Sequence, residues 1–139
     1  MVQRPVPHIT TATAPFWEGC SRGKLMLQKC ASASCGRYVF YPRVCCPFCQ
    51  GSELAWTEVS GNGKIASFTH VQRPQHEFFY PDAPVCFVAV ELAEGPIIYG
   101  HLLDAKDGDD VRIGAPVTVT FVEARPGLSL PSFKRSNAA

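Results

Sequence analysis

The sequence predicts a mostly β chain: a short N-terminal helix, a cysteine-held ribbon, then a small barrel of five strands. Three observations predict it. Four cysteines fall in two close pairs, Cys30 with Cys35 and Cys46 with Cys49, around the aromatic stretch Tyr38-Val39-Phe40-Tyr41. Twelve prolines and eleven glycines in 139 residues cut the chain into short elements and disfavour long helices. Hydrophobic residues make up 46%, enough for a core, and much of that share is Val, Phe, Tyr and Ile, which suit a pleated, half-buried surface. The expected organisation is an arm and short helix over 1–23, a metal ribbon over 24–52, a barrel over 53–125 and a C-terminal tail over 126–139.

The arm comes first, because Pro5 and Pro7 block regular helix and sheet. A short helix is expected from near Thr13, with Pro15 in its first turn and Glu18 placed to favour the helix N-terminus. Gly19 and Gly23 weaken it, so packing must hold it. Phe16 and Trp17 either fill the groove between helix and ribbon or meet a partner or an acyl chain.

Lys24–Lys29 reads as a strand into the first cysteine pair and Tyr38–Tyr41 as the strand leaving it. Two pairs of thiolates on short loops supply two edges of the tetrahedron that a structural zinc ion takes. Cys30, Cys35, Cys46 and Cys49 are therefore the candidate metal ligands, in preference to free or disulfide-bonded cysteines. The four residues between Cys30 and Cys35 force the first knuckle to bulge. Cys45 competes on paper with Cys46, but Cys46 gives the tighter two-residue spacing to Cys49, so Cys45 is read as pointing away from the metal.

Five strand candidates follow. Leu54–Ser60 leads through the turn Gly61-Asn62-Gly63 to Lys64–Val71. Pro84–Leu92 is the most convincing buried strand, with Cys86 a core thiol. Ile97–Leu103 and Val117–Glu123 complete the set, which closes as a small barrel or, in the competing reading, stays an open sandwich fragment. The loop 72–83 carries Phe78, Phe79 and Tyr80, either capping the barrel end or lining a ligand or partner surface. Asp104–Asp110 reads as a solvated acidic loop without the ligand spacing of a calcium site. The tail is expected to lay Leu128, Leu130 and Phe133 back along the body, with the last few residues loose.

Composition narrows the function classes. A net charge of +1 argues against a nucleic-acid binder. No apolar run reaches bilayer-spanning length, and the N-terminus has no signal-type apolar core, so a cytoplasmic location is expected. An odd count of seven cysteines also fits poorly with a fully paired secreted scaffold. His8, His70, His76 and His101 are scattered without an acid–base partner in sequence, and no catalytic residue is assigned.

The order of landmarks resembles the DUF35 family, in which a rubredoxin-like zinc ribbon is joined to an OB-fold domain. The residues that carry the resemblance are Phe16-Trp17, Cys30…Cys35-Gly36, Tyr41-Pro42-Arg43, Cys46-Pro47-x-Cys49-x-Gly51-Ser52, Ser60-Gly61-x-Gly63, Phe68-Thr69, Val88–Leu92, Ile113-Gly114-x-Pro116-Val117 and Leu130-Pro131-x-Phe133. The spacer from Cys30 to Cys35 departs from the two residues usual in that family. The resemblance implies a five-stranded OB barrel and a non-catalytic accessory subunit. Its partner would be a thiolase-like acyltransferase or thiolase or, alternatively, an acyl-CoA hydratase or aldolase, with catalysis carried by the partner.

Direct acyl-CoA handling is a second reading. Arg43, Lys64, Arg73 and Lys134 are its candidates for phosphate contact, and Phe78, Phe79 and Tyr80 for the acyl or adenine part of coenzyme A. A nucleic-acid-binding barrel and a redox iron protein rank below both, the former on charge and the latter on the asymmetric first knuckle.

Overall fold

The computed structural model describes residues 2–106 and 110–136, so Met1, three residues of the acidic loop and the last three of the chain, expected to be loose, lie outside the description. Helix α1 spans Ala14–Ser21, with proline in its first turn and Thr13 at its N-cap. Strands follow as β1 (Leu25–Cys30), β2 (Tyr38–Val39), β3 (Leu54–Val59), β4 (Asn62–Val71), β5 (Val85–Leu92), β6 (Ile97–His101), β7 (Pro116–Arg125) and β8 (Leu128–Arg135). A 3-10 turn over Glu77–Asp82 lies between β4 and β5. Glu18, expected to favour the helix N-terminus, falls beyond the first turn, which holds no acidic residue. Instead Thr10 and Thr13 cap each other, Thr10 N–H donating to Thr13 Oγ1 at 3.0 Å and Thr13 N–H to the Thr10 carbonyl at 3.1 Å.

The strands form two antiparallel sheets, a small one in the order β2-β1-β3 and a larger one in the order β6-β5-β4-β7-β8. This corrects the expected closed five-stranded barrel. The first strand of that barrel, β3, pairs along its whole length with β1 in the ribbon sheet, Leu25 opposite Val59 through Cys30 opposite Leu54. The fifth strand of the larger sheet is β8, from the segment expected to be a tail. The ladder is open between β6 and β8. Gly100 brings β6 against β8, where an added Cβ would lie 3.3 Å from the Phe133 ring and 3.2 Å from the Pro131 carbonyl. Beyond β6, one isolated bridge between Leu102 and Phe133 and the Leu103 N–H donated to the Phe133 carbonyl at 2.9 Å are what join the two edges. Side-chain packing and a clamp at one end therefore take the place of a continuous ladder.

One hydrophobic core runs under both sheets. Phe16 and Cys20 of α1, Leu25 and Leu27 of β1 and Val59 of β3 pack with Ile65, Val88, Val90, Val117 and Phe133 of the larger sheet. Gly19 makes the helix-to-β1 approach possible: a Cβ there would sit 2.5 Å from Met26 Cγ and 2.9 Å from the Lys24 carbonyl oxygen. The Ser21 hydroxyl donates to the Gly127 carbonyl at 2.8 Å and ties α1 to the β7–β8 turn. Phe16 meets Phe40 with ring centroids 5.7 Å apart, so the helix aromatics fill the groove beside the ribbon. Among the described residues no helix is long and apolar enough to cross a membrane.

Candidate metal centre and flanking clefts

The ribbon supplies the first candidate site. β1 delivers Cys30, and the first knuckle turns through Cys35 and Gly36 N–H groups that both donate to the Ser32 carbonyl at 3.1 Å. Gly36 then takes φ 65°, the left-handed conformation glycine adopts without a steric penalty. That turn absorbs the four-residue spacer. The second knuckle closes with Cys46 N–H on the Gly51 carbonyl at 2.7 Å and Gln50 N–H on the Cys46 carbonyl at 2.8 Å.

The four sulfurs converge. Cys30 Sγ lies 3.6 Å from Cys49 Sγ, Cys35 Sγ lies 3.8 Å from Cys46 Sγ, and all four are within 4.8 Å of one another. Zinc–sulfur bonds of about 2.3 Å in a tetrahedron set sulfur–sulfur edges of about 3.8 Å, so the set fits a structural zinc ion. Four thiolates fill the coordination sphere and leave no open position for a substrate. Burial pushes the Cys46 thiol up, but the backbone N–H groups of Cys49 and Phe48 and the Cys35 side chain outweigh it and bring it down to about 7. Cys45 is exposed and stands outside the cluster. Cys20 and Cys86 are buried core thiols that burial pushes up, Cys20 to about 12.

The residues considered together for coenzyme A are not brought together. Arg43 lies on the ribbon and lines a cleft of about 780 Å³ with Arg37, Tyr38, Phe40, Phe48 and the β5–β6 turn Glu94-Gly95-Pro96. Phe78 and Phe79 line a different cavity of about 400 Å³, with Arg4, Asp82, Cys86 and His101. The Arg4 guanidinium lies 5.8 Å from the Phe78 ring centroid and 5.7 Å from that of Phe79, so the N-terminal arm plugs this aromatic loop. Burial holds His101 below the usual histidine range, and Arg4 adds to the shift. Tyr80 is exposed and belongs to a shallow depression with Gln72, Arg73 and Pro74. Lys64 and Lys134 are exposed on β4 and β8 and line neither cleft. His76 is accounted for locally, since its Nδ1 accepts the Phe78 N–H at 3.2 Å and caps the 3-10 turn.

Sequence reasoning missed Gln28, Arg37 and Phe48. Gln28 is buried on β1, where its amide grips the Arg43 backbone in both directions. Alternation along β1, with Lys29 exposed, gives no signal that its neighbour Gln28 is buried. Arg37 stacks over Phe48 at 4.5 Å, a contact between the two knuckles that no local pattern announces.

A cysteine ribbon fused to a β domain through a shared core defines a small zinc-ribbon module with no catalytic constellation among its described residues. The chain belongs to the DUF35 family. Residues 17–55 match the family described as "ChsH2, rubredoxin-like zinc ribbon domain", and residues 56–122 the one described as "ChsH2, C-terminal OB-fold domain". A "Probable enoyl-CoA hydratase alpha subunit" of Thermomonospora curvata is 32% identical over 94% of this chain, which spans 40% of that relative's length. A "DUF35 domain-containing scaffold protein" of Methanothermobacter thermautotrophicus is 32% identical over 83% of this chain and 85% of its own. Among solved structures, an "Ltp2-ChsH2(DUF35) aldolase" chain superposes with a TM-score of 0.82 at 30% identity, covering 94% of this chain and 98% of that one.

Proposed function

We propose that this chain is a zinc-containing scaffold subunit that assembles with an acyl-CoA enzyme of the hydratase or aldolase type, and that its partner carries the catalytic residues. The observation that carries the reading is the near full-length likeness to a chain of an aldolase complex, alongside relatives named as a hydratase subunit and as scaffold proteins. These names favour a hydratase or aldolase partner over the thiolase-like one expected first from sequence. Cys30, Cys35, Cys46 and Cys49 would hold the zinc, which would supply rigidity to a ribbon too small to bury a core of its own. With the ribbon fixed, its exposed apolar residues Tyr41 and Val44 would be available to a partner.

Affinity capture of the tagged chain from its native host, followed by mass spectrometry, tests this. A hydratase or aldolase acting on a CoA thioester should co-purify in fixed ratio. Recovery of the chain alone, or with partners unrelated to CoA chemistry, would overturn the reading.

A further inference from the structure

The four converging sulfurs do not share one environment. Cys46 is fully buried and Cys30 nearly so, Cys35 is half-buried, and Cys49 is the exposed member. A solute in water therefore meets Cys49 first. Across the cluster, Cys30 Sγ stands 3.6 Å from Cys49 Sγ, and a disulfide needs that gap closed to about 2.0 Å.

The two ends of the gap are held unequally. Cys30 ends β1, where it pairs with Leu54 and donates its N–H to the Arg37 carbonyl at 2.9 Å. Cys49 lies in a turn outside any strand, closed by the Cys46 N–H on the Gly51 carbonyl and the Gln50 N–H on the Cys46 carbonyl. Gln50, the next residue, takes φ 64°, and among the described residues it is the one non-glycine at positive φ. A side chain in that left-handed region is strained. Cys30 is thus the fixed end and Cys49 the end able to move. Sulfurs that ligate a metal are thiolates at neutral pH, the form a peroxide oxidises.

We propose that the ribbon is a peroxide-sensitive switch, in which oxidation joins Cys49 to Cys30 and dismantles the metal site. The Cys49 thiolate attacks hydrogen peroxide, the O–O bond breaks, and a sulfenic acid and a hydroxide form. The Cys30 thiolate then attacks the Cys49 sulfur, the S–S bond forms, and a second hydroxide leaves. Two thiolates have lost two electrons, and one peroxide has been reduced to two hydroxides. Cys35 and Cys46 alone cannot complete a tetrahedron, so the segment between the knuckles, with Tyr41 and Val44, loosens. The consequence for assembly rests on the proposed scaffold role; the disulfide chemistry rests on this chain alone.

The test treats the zinc-loaded full chain with hydrogen peroxide. A chromogenic chelator reads released zinc, and mass spectrometry after blocking free thiols reads the pairing. Zinc should leave about tenfold or more faster than from untreated chain, at about one ion per Cys30–Cys49 disulfide. Dithiothreitol with added zinc should restore both metal content and circular dichroism. Cys45→Ser, which removes the exposed thiol outside the set, should change neither rate nor product. Zinc retained while Cys45 is oxidised, a disulfide joining Cys45 or joining Cys35 to Cys46, or loss that reductant and zinc do not reverse would overturn the proposal. Zinc retained with a CoA enzyme still captured leaves the scaffold reading standing. Reversible release through Cys30–Cys49 with no partner captured leaves the switch standing without it.

Discussion

The Gln28 side chain and the Arg43 backbone form a closed pair: Gln28 Nε2 donates to the Arg43 carbonyl at 2.8 Å, and Gln28 Oε1 accepts the Arg43 N–H at 2.7 Å. A buried amide thereby satisfies an irregular segment that has no strand partner. Gln28→Ala removes both bonds and strands two backbone groups, which should cost about 2 kcal/mol and lower the melting temperature by roughly 6 °C. Gln28→Glu sets a buried carboxylate oxygen against the Arg43 carbonyl, so it should cost at least as much as Gln28→Ala. Thermal unfolding of the zinc-loaded chain measures both. A melting temperature unchanged in Gln28→Ala would show that water replaces the clamp.

The cysteines divide into those that converge and one that does not. Cys46→Ala removes one of four converging sulfurs, and bound zinc should fall from about one per chain to near zero. The ribbon should then lose several kcal/mol of stability, and chelation of the wild-type chain should do the same. Cys45→Ala removes an exposed thiol outside the set and should leave zinc content unchanged. Elemental analysis of the two variants separates the assignments, and the opposite pattern would exchange the roles of Cys45 and Cys46.

The ribbon was legible in sequence because ligand spacing is a local property. The first knuckle needed only Gly36 and a turn at Ser32 to take its longer loop. The barrel was misread at both ends. β3 alternates as any half-buried strand does, and nothing in Leu54–Val59 tells whether it pairs forward with β4 or back with β1; the register with Leu25–Cys30 is a tertiary choice. β8 was hidden by Pro131, which argues against a central strand. At the edge of the sheet, where β8 pairs with β7 alone, a missing N–H costs the ladder nothing. Arg43 was joined in sequence with Phe78, Phe79 and Tyr80 by residue type alone, and the fold puts them in three separate clefts.

Gly19 trades helix propensity for contact. Alanine gains about 1 kcal/mol in a helix interior. Here its Cβ would lie 2.5 Å from Met26 Cγ, which can move, and 2.9 Å from the Lys24 carbonyl oxygen, which is backbone. Gly19→Ala should therefore be net destabilising by about 1–2 kcal/mol. Adding Met26→Ala should recover part of the strain from Gly19→Ala, a coupling read from a denaturation double-mutant cycle. A stabilised Gly19→Ala would mean that α1 shifts freely on β1.

His101 gives the stability a pH dependence of known sign. Burial, then Arg4, depress its folded pKa below the ordinary 6.5, with Asp82 opposing. At neutral pH the imidazole is uncharged in both states and costs nothing. As pH falls through about 6.5 the unfolded chain takes up the proton first, so stability drops until the folded pKa is passed and then levels. His101→Phe keeps a ring beside Phe79 and Phe87 and removes the titration. The difference in melting temperature between wild type and His101→Phe should thus change between pH 7 and pH 5, in favour of the variant at the acid end. A pH-independent difference would place His101 in water.

Phe133 decides whether the C-terminal segment is an appendage or part of the fold. Its side chain is fully buried, it pairs with Val119, and its carbonyl receives the Leu103 N–H. It also covers Gly100, joining the two sheet edges that no ladder connects. Phe133→Ala should cost about 3–5 kcal/mol, the range for a large aromatic removed from a packed core. Phe133→Leu, which refills most of the volume, should cost markedly less. An appendage would instead answer both changes with shifts within about 0.5 kcal/mol, as exposed surface positions do. Lys134→Ala, exposed one residue further on, supplies that baseline in the same denaturant titration. A Phe133→Ala cost no larger than the Lys134→Ala baseline would remove β8 from the core.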